Sequence, residues 1–220
     1  MTMVDYAYPD SRLLQFARSP VPGRVKSRLQ PVLGEKGCLA LHCRLVEYTH
    51  GQLQDAHLAP VEIWYSEKEG SDFFRRFSPA AGRHCQWGLD LGERMHNAFD
   101  HVLSRSRFAV MVGSDCPFVG ADLLGAALGA LAGGQDAVFG PASDGGYYLV
   151  GLARAERRLF TGIDWGTGSV MAQTRLRLRE LGWRWRELPT LADIDRPEDL
   201  PRLAGVAGFE AYASRRKVCN

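Results

Sequence analysis

The segment LLQFARSPVPGRVKSRL, Leu13 to Leu29, decides the fold: an apolar run of strand character feeds directly into a basic loop that passes through Lys26-Ser27. Open α/β sheets bind their ligands in such loops, at the carboxyl ends of strands. A phosphate-binding P-loop needs G-x-x-x-x-G-K-[ST], because glycines let successive backbone N–H groups curl around the phosphates. Pro20 and Val25 occupy the two required glycine positions, so that reading fails. What remains is charge. Between Ser11 and Gly34 lie Arg12, Arg18, Arg24, Lys26 and Arg28, with no acidic residue among them, in a chain whose net charge is only +2. A lone basic run commonly just solvates a surface. Its place after the first strand makes this one a candidate phosphate clamp that grips with side chains rather than with a cradle of amides.

With 220 residues, 45% of them hydrophobic and 24% charged, the chain can bury a sizeable core. No composition break or low-complexity linker divides it, so residues 1–220 are expected to form one domain, with about ten N-terminal and about fifteen C-terminal residues peripheral. The near-neutral balance argues against nucleic acid as a partner, which would want a basic face continuing beyond one loop. No apolar run approaches the ~18 residues of a membrane span, and MTMVDYAYPD lacks the layout of a signal peptide. The expected location is the cytoplasm. Cys38, Cys43, Cys85, Cys116 and Cys219 are odd in number and include no C-x-x-C pair, which fits a reducing compartment. Cys38, His42 and Cys43 fall in a predicted helix and are read as helix packing rather than metal ligands.

Periodicity predicts strands at Leu13–Ala17, Val61–Tyr65, His84–Trp87, Phe108–Val112, Ala137–Phe139, Tyr147–Leu152 and Trp183–Leu188. Helical patterns lie between them at Glu35–Asp55, Ser71–Phe77, Leu91–Ser104, Ala121–Leu131 and Ser169–Leu181. Alternating strands and helices call for a mostly parallel, mixed sheet covered on both faces, an α/β fold. Only GPASDGG separates Ala137–Phe139 from Tyr147–Leu152, so one of those strands is expected to run antiparallel. A helix and a frayed tail are expected to end the chain.

The acidic residues fall at strand ends. FAVMV runs into GSDCP, placing Asp115 at the carboxyl edge of the sheet, although an Asp there could also cap the helix that follows. GPASDGGYY puts Asp144 in a tight glycine turn, and LADIDRPEDL puts Asp193 and Asp195 just before a proline-started segment. If the sheet gathers them, carboxylates face the basic loop across one crevice. Magnesium or manganese takes hard oxygen ligands, commonly one or two carboxylates plus substrate phosphate oxygens. Facing Lys and Arg groups would neutralise the remaining phosphate charge. Cys116 lies inside the same motif, but none of the six histidines is placed by sequence to serve it as a base.

Six ordered motifs resemble one family: R-x-P-x-P-G-R-x-K-[ST]-R-L, D-L-G-E-R-M, G-S-D-C-P, G-P-A-x-D-G-G-Y-Y-L-x-G-L, the W-G-T segment and D-x-D-x-P-E-D-L. From about Leu13 to Leu200 the chain resembles the DUF2064 proteins, also labelled radical SAM/selenodomain-associated transferase 1. They belong to the nucleotide-diphospho-sugar transferase superfamily, with a glycosyltransferase A-like fold. The resemblance implies that Arg18, Arg24, Lys26 and Arg28 contact donor phosphates, and that Asp115 holds Mg²⁺ or Mn²⁺ with Asp193 or Asp195 as a second ligand. It makes Gln86, Gly88 and Gly92 nucleotide contacts, although Asp90 could simply cap a helix entry there. Asp144, Gly145 and Gly146 would line the acceptor side, and WGTGSV, with Trp165 and Thr167, would close over the acceptor or form a turn feeding the next helix. Asp115, Lys26 and Arg18 are the expected catalytic groups.

Two departures from the superfamily pattern bear on the reaction. Its glycosyltransferases carry D-x-D at the metal position, where this chain has Gly113 two residues before Asp115. Its nucleotidyltransferases carry a glycine-rich first loop, where this chain has Pro20, Pro22 and only Gly23. The leading expectation is glycosyl transfer from a nucleotide-diphospho sugar to a small-molecule acceptor. Nucleotidyl transfer from a nucleoside triphosphate to a phosphorylated acceptor, as in the molybdenum-cofactor and phospholactate guanylyltransferases, is the alternative. A non-catalytic nucleotide sensor of the same fold is a third.

Overall fold

Leu13 and Leu14 enter opposite faces of one sheet and are both fully buried, which is why their strand reads as a continuous apolar run. The computed structural model describes residues 5–77 and 82–214. Its strands are β1 (Ser11–Ala17), β2 (Val61–Tyr65), β3 (Gly82–Cys85), β4 (Phe108–Gly113), β5 (Ala137–Pro141), β6 (Tyr147–Leu152) and β7 (Trp185–Glu187). They form a seven-stranded sheet in the order β3-β2-β1-β4-β6-β5-β7. β6 runs antiparallel to both neighbours and the other pairings are parallel. The antiparallel strand is therefore the second of the pair joined by GPASDGG.

Helices α1 (Gln30–Asp55) and α3 (Ala121–Ala132) supply side chains to one face, where Leu53, Leu124, Leu128 and Leu131 pack on Leu13, Val110, Val112 and Val138. Helices α2 (Leu91–Leu103) and α4 (Val170–Glu180) cover the other. In α2 the buried residues Met95, Ala98, Phe99 and Val102 follow helical spacing, one apolar stripe meeting Leu14, Met111 and Phe139. The stripe of α1 turned from the sheet, including Leu41 and Leu45, is covered by Leu200, Leu203 and Phe209.

Boundaries shift where glycine and proline intervene. Helix α1 starts before Glu35, at Gln30, but Gly34 (φ 66°, ψ 171°) interrupts it, so the regular helix does run from Glu35. The helix expected at Ser71–Phe77 is a 3-10 turn, Ser71–Arg76, folded around buried Phe74. The strand expected at His84–Trp87 ends at Cys85, after which the Gln86 N–H bonds the Tyr65 carbonyl and Gly88 (φ 140°) turns the chain. The last expected strand shrinks to Trp185–Glu187 behind Gly182 (φ 65°). After Arg196 the chain forms a 3-10 segment, Pro197–Gly205, since Pro201 lacks the N–H that a longer α-helix would use. The closing helix, α5, covers only Glu210–Ala213, and the expected tail with Cys219 lies outside the described residues. Among the described residues no helix is long and apolar enough to cross a membrane.

Candidate functional site

At the carboxyl edge of the sheet, the segment after β7 ties together three loops that sequence alone leaves apart. Ala142 and Leu191 form a parallel bridge, and the Ser143 N–H donates to the Leu191 carbonyl at 2.9 Å. Three residues later the Ile194 N–H donates to the Asp115 carbonyl, again at 2.9 Å. The Ile194 carbonyl in turn accepts from Lys26 Nζ at 2.5 Å. Backbone bonds thus carry Asp193 and Asp195 from the β5–β6 turn across the tip of β4 to the loop after β1.

Asp115 leaves the end of β4 well before α3, whose N-cap is Gly120, so it caps no helix. Lys26 Nζ lies 2.7 Å from its Oδ1; the lysine side chain is only 3% exposed, whereas 53% of Asp115 remains open to the crevice. Burial alone would raise the Asp115 carboxyl, but Lys26 together with His42 and Arg18 more than offsets this and holds it below the usual carboxylate range. Lys26 adopts a left-handed backbone (φ 50°, ψ 34°), a conformation that costs a lysine about 1 kcal/mol or more. Buried Val21 and Val25 pin the loop that carries it, and Ser19 Oγ donates to the Glu67 carbonyl at 2.6 Å.

The rest of the basic loop divides into committed and open cations. Arg24 pairs with Glu67 at 3.1 Å and Glu69 at 3.0 Å, and Arg28 pairs with Asp195 at 2.5 Å. Arg18 is exposed and is the basic residue of the loop that forms no ion pair among the described residues. Its carbonyl accepts from His42 Nε2 at 3.0 Å, and burial lowers the pKa of that imidazole. His42, read from sequence as packing, is thus the strut beneath Arg18. Its only sequence signal is a place on the buried stripe of α1.

Asp193 feels the opposite field from Asp115. Burial first, then the carboxylates of Asp144 and Asp115, push its carboxyl from the ordinary 3.8 up to about 6. Burial is the larger cause, and the neighbouring negative charge adds to it more than Lys26 offsets. A divalent cation would relieve that setting, and Asp115 with Asp193 are the residues that would offer it the one or two carboxylates that Mg²⁺ or Mn²⁺ takes beside phosphate oxygens and water. Asp195 is spent on Arg28, which leaves Asp193 the better placed of the two expected second ligands. Among the described residues no three His, Cys, Asp or Glu side chains are grouped so that they could hold a metal ion. Cys116 is buried, its thiol pushed up to about 12 by that burial, which suits packing and not a nucleophile.

Asp193 also sets a pH dependence. Its raised pKa contributes stability that is full below 3.8 and is lost as pH rises through about 6. Ligand capacity runs the other way, failing as pH falls through that value. Asp144→Asn is expected to move the Asp193 midpoint down from about 6 toward the ordinary range, read by carboxyl ¹³C NMR titration. An unmoved midpoint would separate the two carboxylates.

On the β5–β6 side, Asp144 Oδ1 accepts from the Gly146 N–H at 2.9 Å, and its exposed carboxylate keeps the other oxygen for the crevice. Gly145 (φ 91°) packs so closely under the next turn that a β-carbon there would stand 2.1 Å from the Gly168 carbonyl oxygen. The Gly145 carbonyl accepts from the Met171 N–H at 2.8 Å. DGG and WGTG are therefore one interlocked unit. Thr167 Oγ1 bonds within its own turn, to the Asp164 carbonyl at 2.8 Å and Ser169 Oγ at 2.7 Å. Trp165 lies across Gly92, where a β-carbon would come within 2.7 Å of the indole nitrogen.

The segment expected to contact a nucleotide is built mainly by structural bonds. Gln86 Nε2 donates to the Trp64 carbonyl at 2.8 Å and to the Ala17 carbonyl at 3.3 Å, closing the ends of β1 and β2. Asp90 caps α2 by accepting from the Glu93 N–H at 2.8 Å, while Glu93 accepts from the Leu89 N–H. A β-carbon on Gly88 would meet Arg94 N at 2.8 Å. The surface left beside them is apolar: Trp87 and Leu91 are partly exposed and Leu89 is 94% exposed.

A mixed sheet of this order, with acidic and basic side chains of several loops gathered at its carboxyl edge, defines an α/β protein of the nucleotide-diphospho-sugar transferase type. The family described as "Uncharacterized protein conserved in bacteria (DUF2064)" is matched over residues 49–167, and the chain belongs to it. A candidate nucleotide-diphospho-sugar transferase from Desulfovibrio desulfuricans G20 is 31% identical, covers 93% of each chain and superposes with a TM-score of 0.83. CMP:2-keto-3-deoxy-manno-octonic acid synthetase complexed with CTP shares the fold at 12% identity and TM-score 0.60, covering 91% of this chain and 99% of its own. Rv0371c from Mycobacterium tuberculosis H37Rv, in complex with manganese, does so at 14% identity and TM-score 0.54, covering 90% and 98%. No curated protein matches the sequence.

Proposed function

We propose that the crevice performs metal-dependent glycosyl transfer from a nucleotide-diphospho sugar to a small-molecule acceptor. The observation that carries this reading is the committed state of the basic loop. Lys26 is buried on Asp115, Arg24 and Arg28 are paired with acids, and Arg18 is exposed with no ion pair among the described residues. A diphosphate bridge needs fewer neutralising groups than a triphosphate, and one divalent ion with Arg18 supplies them. The metal, held by Asp115 and Asp193, would polarise the bond between the sugar and the diphosphate.

The chain's own groups then have separable tasks. Arg18 binds the diphosphate as charge passes to it, and His42 keeps the Arg18 backbone in place. Lys26 keeps Asp115 ionised and aimed. Asp144 receives an acceptor hydroxyl on its free oxygen, while Trp165 and Tyr147, whose rings are 6.4 Å apart, wall that side from water. The acceptor oxygen forms its bond to the anomeric carbon and passes its proton to the free oxygen of Asp144 as the carbon–oxygen bond to the diphosphate breaks. A nucleoside diphosphate leaves.

Nucleotidyl transfer remains the second reading, favoured by one observation: Gly113 supplies no first carboxylate of a D-x-D pair, although a β-carbon there would meet nothing closer than the Tyr148 carbonyl oxygen at 3.9 Å. Incubation with Mn²⁺, candidate donors and acceptors, followed by product analysis, separates the readings. Nucleoside diphosphate release supports glycosyl transfer, pyrophosphate release supports nucleotidyl transfer, and binding without either product supports a sensor. Lys26→Ala is expected to weaken donor binding by about tenfold at saturating metal, by loosening Asp115. Titration calorimetry giving wild-type affinity would return the lysine to a purely structural role.

A further inference from the structure

Below Asp115 lies a buried polar relay that connects α1 to the crevice through the middle of β1. Gln15 is fully buried. Its Nε2 donates to the Val46 carbonyl at 2.8 Å and to Ser114 Oγ at 3.1 Å, while Oε1 faces His50 Nδ1 at 3.0 Å. The Val46 carbonyl can only accept, so it fixes the amide with nitrogen toward Val46 and Ser114 and oxygen toward His50. Burial lowers His50 to about 4, so the ring is neutral near pH 7 and its single hydrogen sits on Nδ1. Both amide hydrogens and the carbonyl oxygen of Gln15 are thereby used, and no other orientation of the group satisfies Val46.

Ser114 is 4% exposed and immediately precedes Asp115, beyond the last residue of β4, where the strand ladder no longer holds the chain. On its far side Asp115 is held by Ile194, whose N–H donates to its carbonyl. On its near side the tether is the bond from Gln15 to Ser114. We infer that Gln15, oriented by His50 and acting through Ser114, is a positioning residue that fixes where the Asp115 carboxylate stands for its metal and for Lys26. The inference rests on the metal role proposed for Asp115, but the tether itself can be read without it.

The test uses the full chain and two measurements: Mn²⁺ affinity by calorimetry, and the ¹⁵N signal of the Lys26 ammonium, slowed in exchange by its bonds to Asp115 and Ile194. Ser114→Ala removes only the accepting oxygen. It is expected to weaken Mn²⁺ binding about tenfold and to abolish the protected ammonium signal in a chain that stays folded, its thermal midpoint lowered by several degrees because one buried Gln15 hydrogen loses its acceptor. Gln15→Met removes both donated hydrogens at similar volume, and is expected to act in the same direction. Thr49→Val alters the same buried layer, where the Thr49 hydroxyl has no partner, and is expected to change neither readout. Wild-type values of both in Ser114→Ala, or equal losses in Thr49→Val, overturn the tether. If the wild-type chain binds no Mn²⁺, the metal role fails instead, and the ammonium signal alone decides whether Gln15 positions Asp115.

Discussion

Asp115→Asn is expected to lower metal-dependent turnover by at least about 10³-fold while the sheet stays folded. The amide that replaces the carboxylate is a poor ligand for a hard cation and cannot balance Lys26. Loss of a partner from a fully buried ion pair costs about 3–5 kcal/mol. Here Asp115 is half exposed and Lys26 keeps its bond to the Ile194 carbonyl, so about 1–2 kcal/mol is the expected loss. Urea unfolding measures that part. The double variant Lys26→Met with Asp115→Asn removes the orphaned charge and is expected to recover stability without activity. Turnover near wild type in the single variant would take Asp115 out of the chemistry.

Gly145→Ala is expected to have the largest effect on the fold. The added methyl would stand 2.1 Å from the Gly168 carbonyl oxygen, and the φ of 91° is itself unfavourable for alanine. Strain and overpacking each cost about 1–3 kcal/mol, so a loss of about 3 kcal/mol or more is expected in the denaturation midpoint. The two turns that wall the Asp144 side would part together. Gly166→Ala is the contrast, since it has positive φ but nothing within 4 Å to meet. It should lose only the conformational part, and equal losses in the two variants would show that the interlock carries no load.

Elements whose burial follows one period were legible in the sequence. β2 and β6 match their apolar runs residue for residue, and α2 follows its stripe and its Asp90 cap. Where glycine or proline geometry decided, the boundary moved, as at Gln86 and Pro201. The acidic and basic residues of the crevice were legible because strand ends are where this kind of sheet concentrates ligands. Their pairing was not. Nothing in RSPVPGRVKSRL says that Lys26 turns inward onto Asp115 while Arg18 stays out, because that depends on a left-handed backbone at residue 26 and a carbonyl contributed by Ile194. Gln15 and His42 lie in apolar stretches that read only as burial, since the groups they bond are distant in sequence.

The reversed direction of β6 has a consequence for divergence among relatives. Because β5 ends and β6 begins at the same edge, Asp144 and its glycines sit in one short hairpin, while the donor half draws on segments scattered from Arg18 to Asp195. On the proposed reading, a lineage could exchange its acceptor by rewriting the tip of this hairpin and the WGTG turn locked to it, provided that Ala142 and Ser143 keep their backbone bonds to Leu191. The side proposed for the donor would be harder to rewrite, since Lys26, Asp115 and Ile194 are bonded to one another from three separate segments.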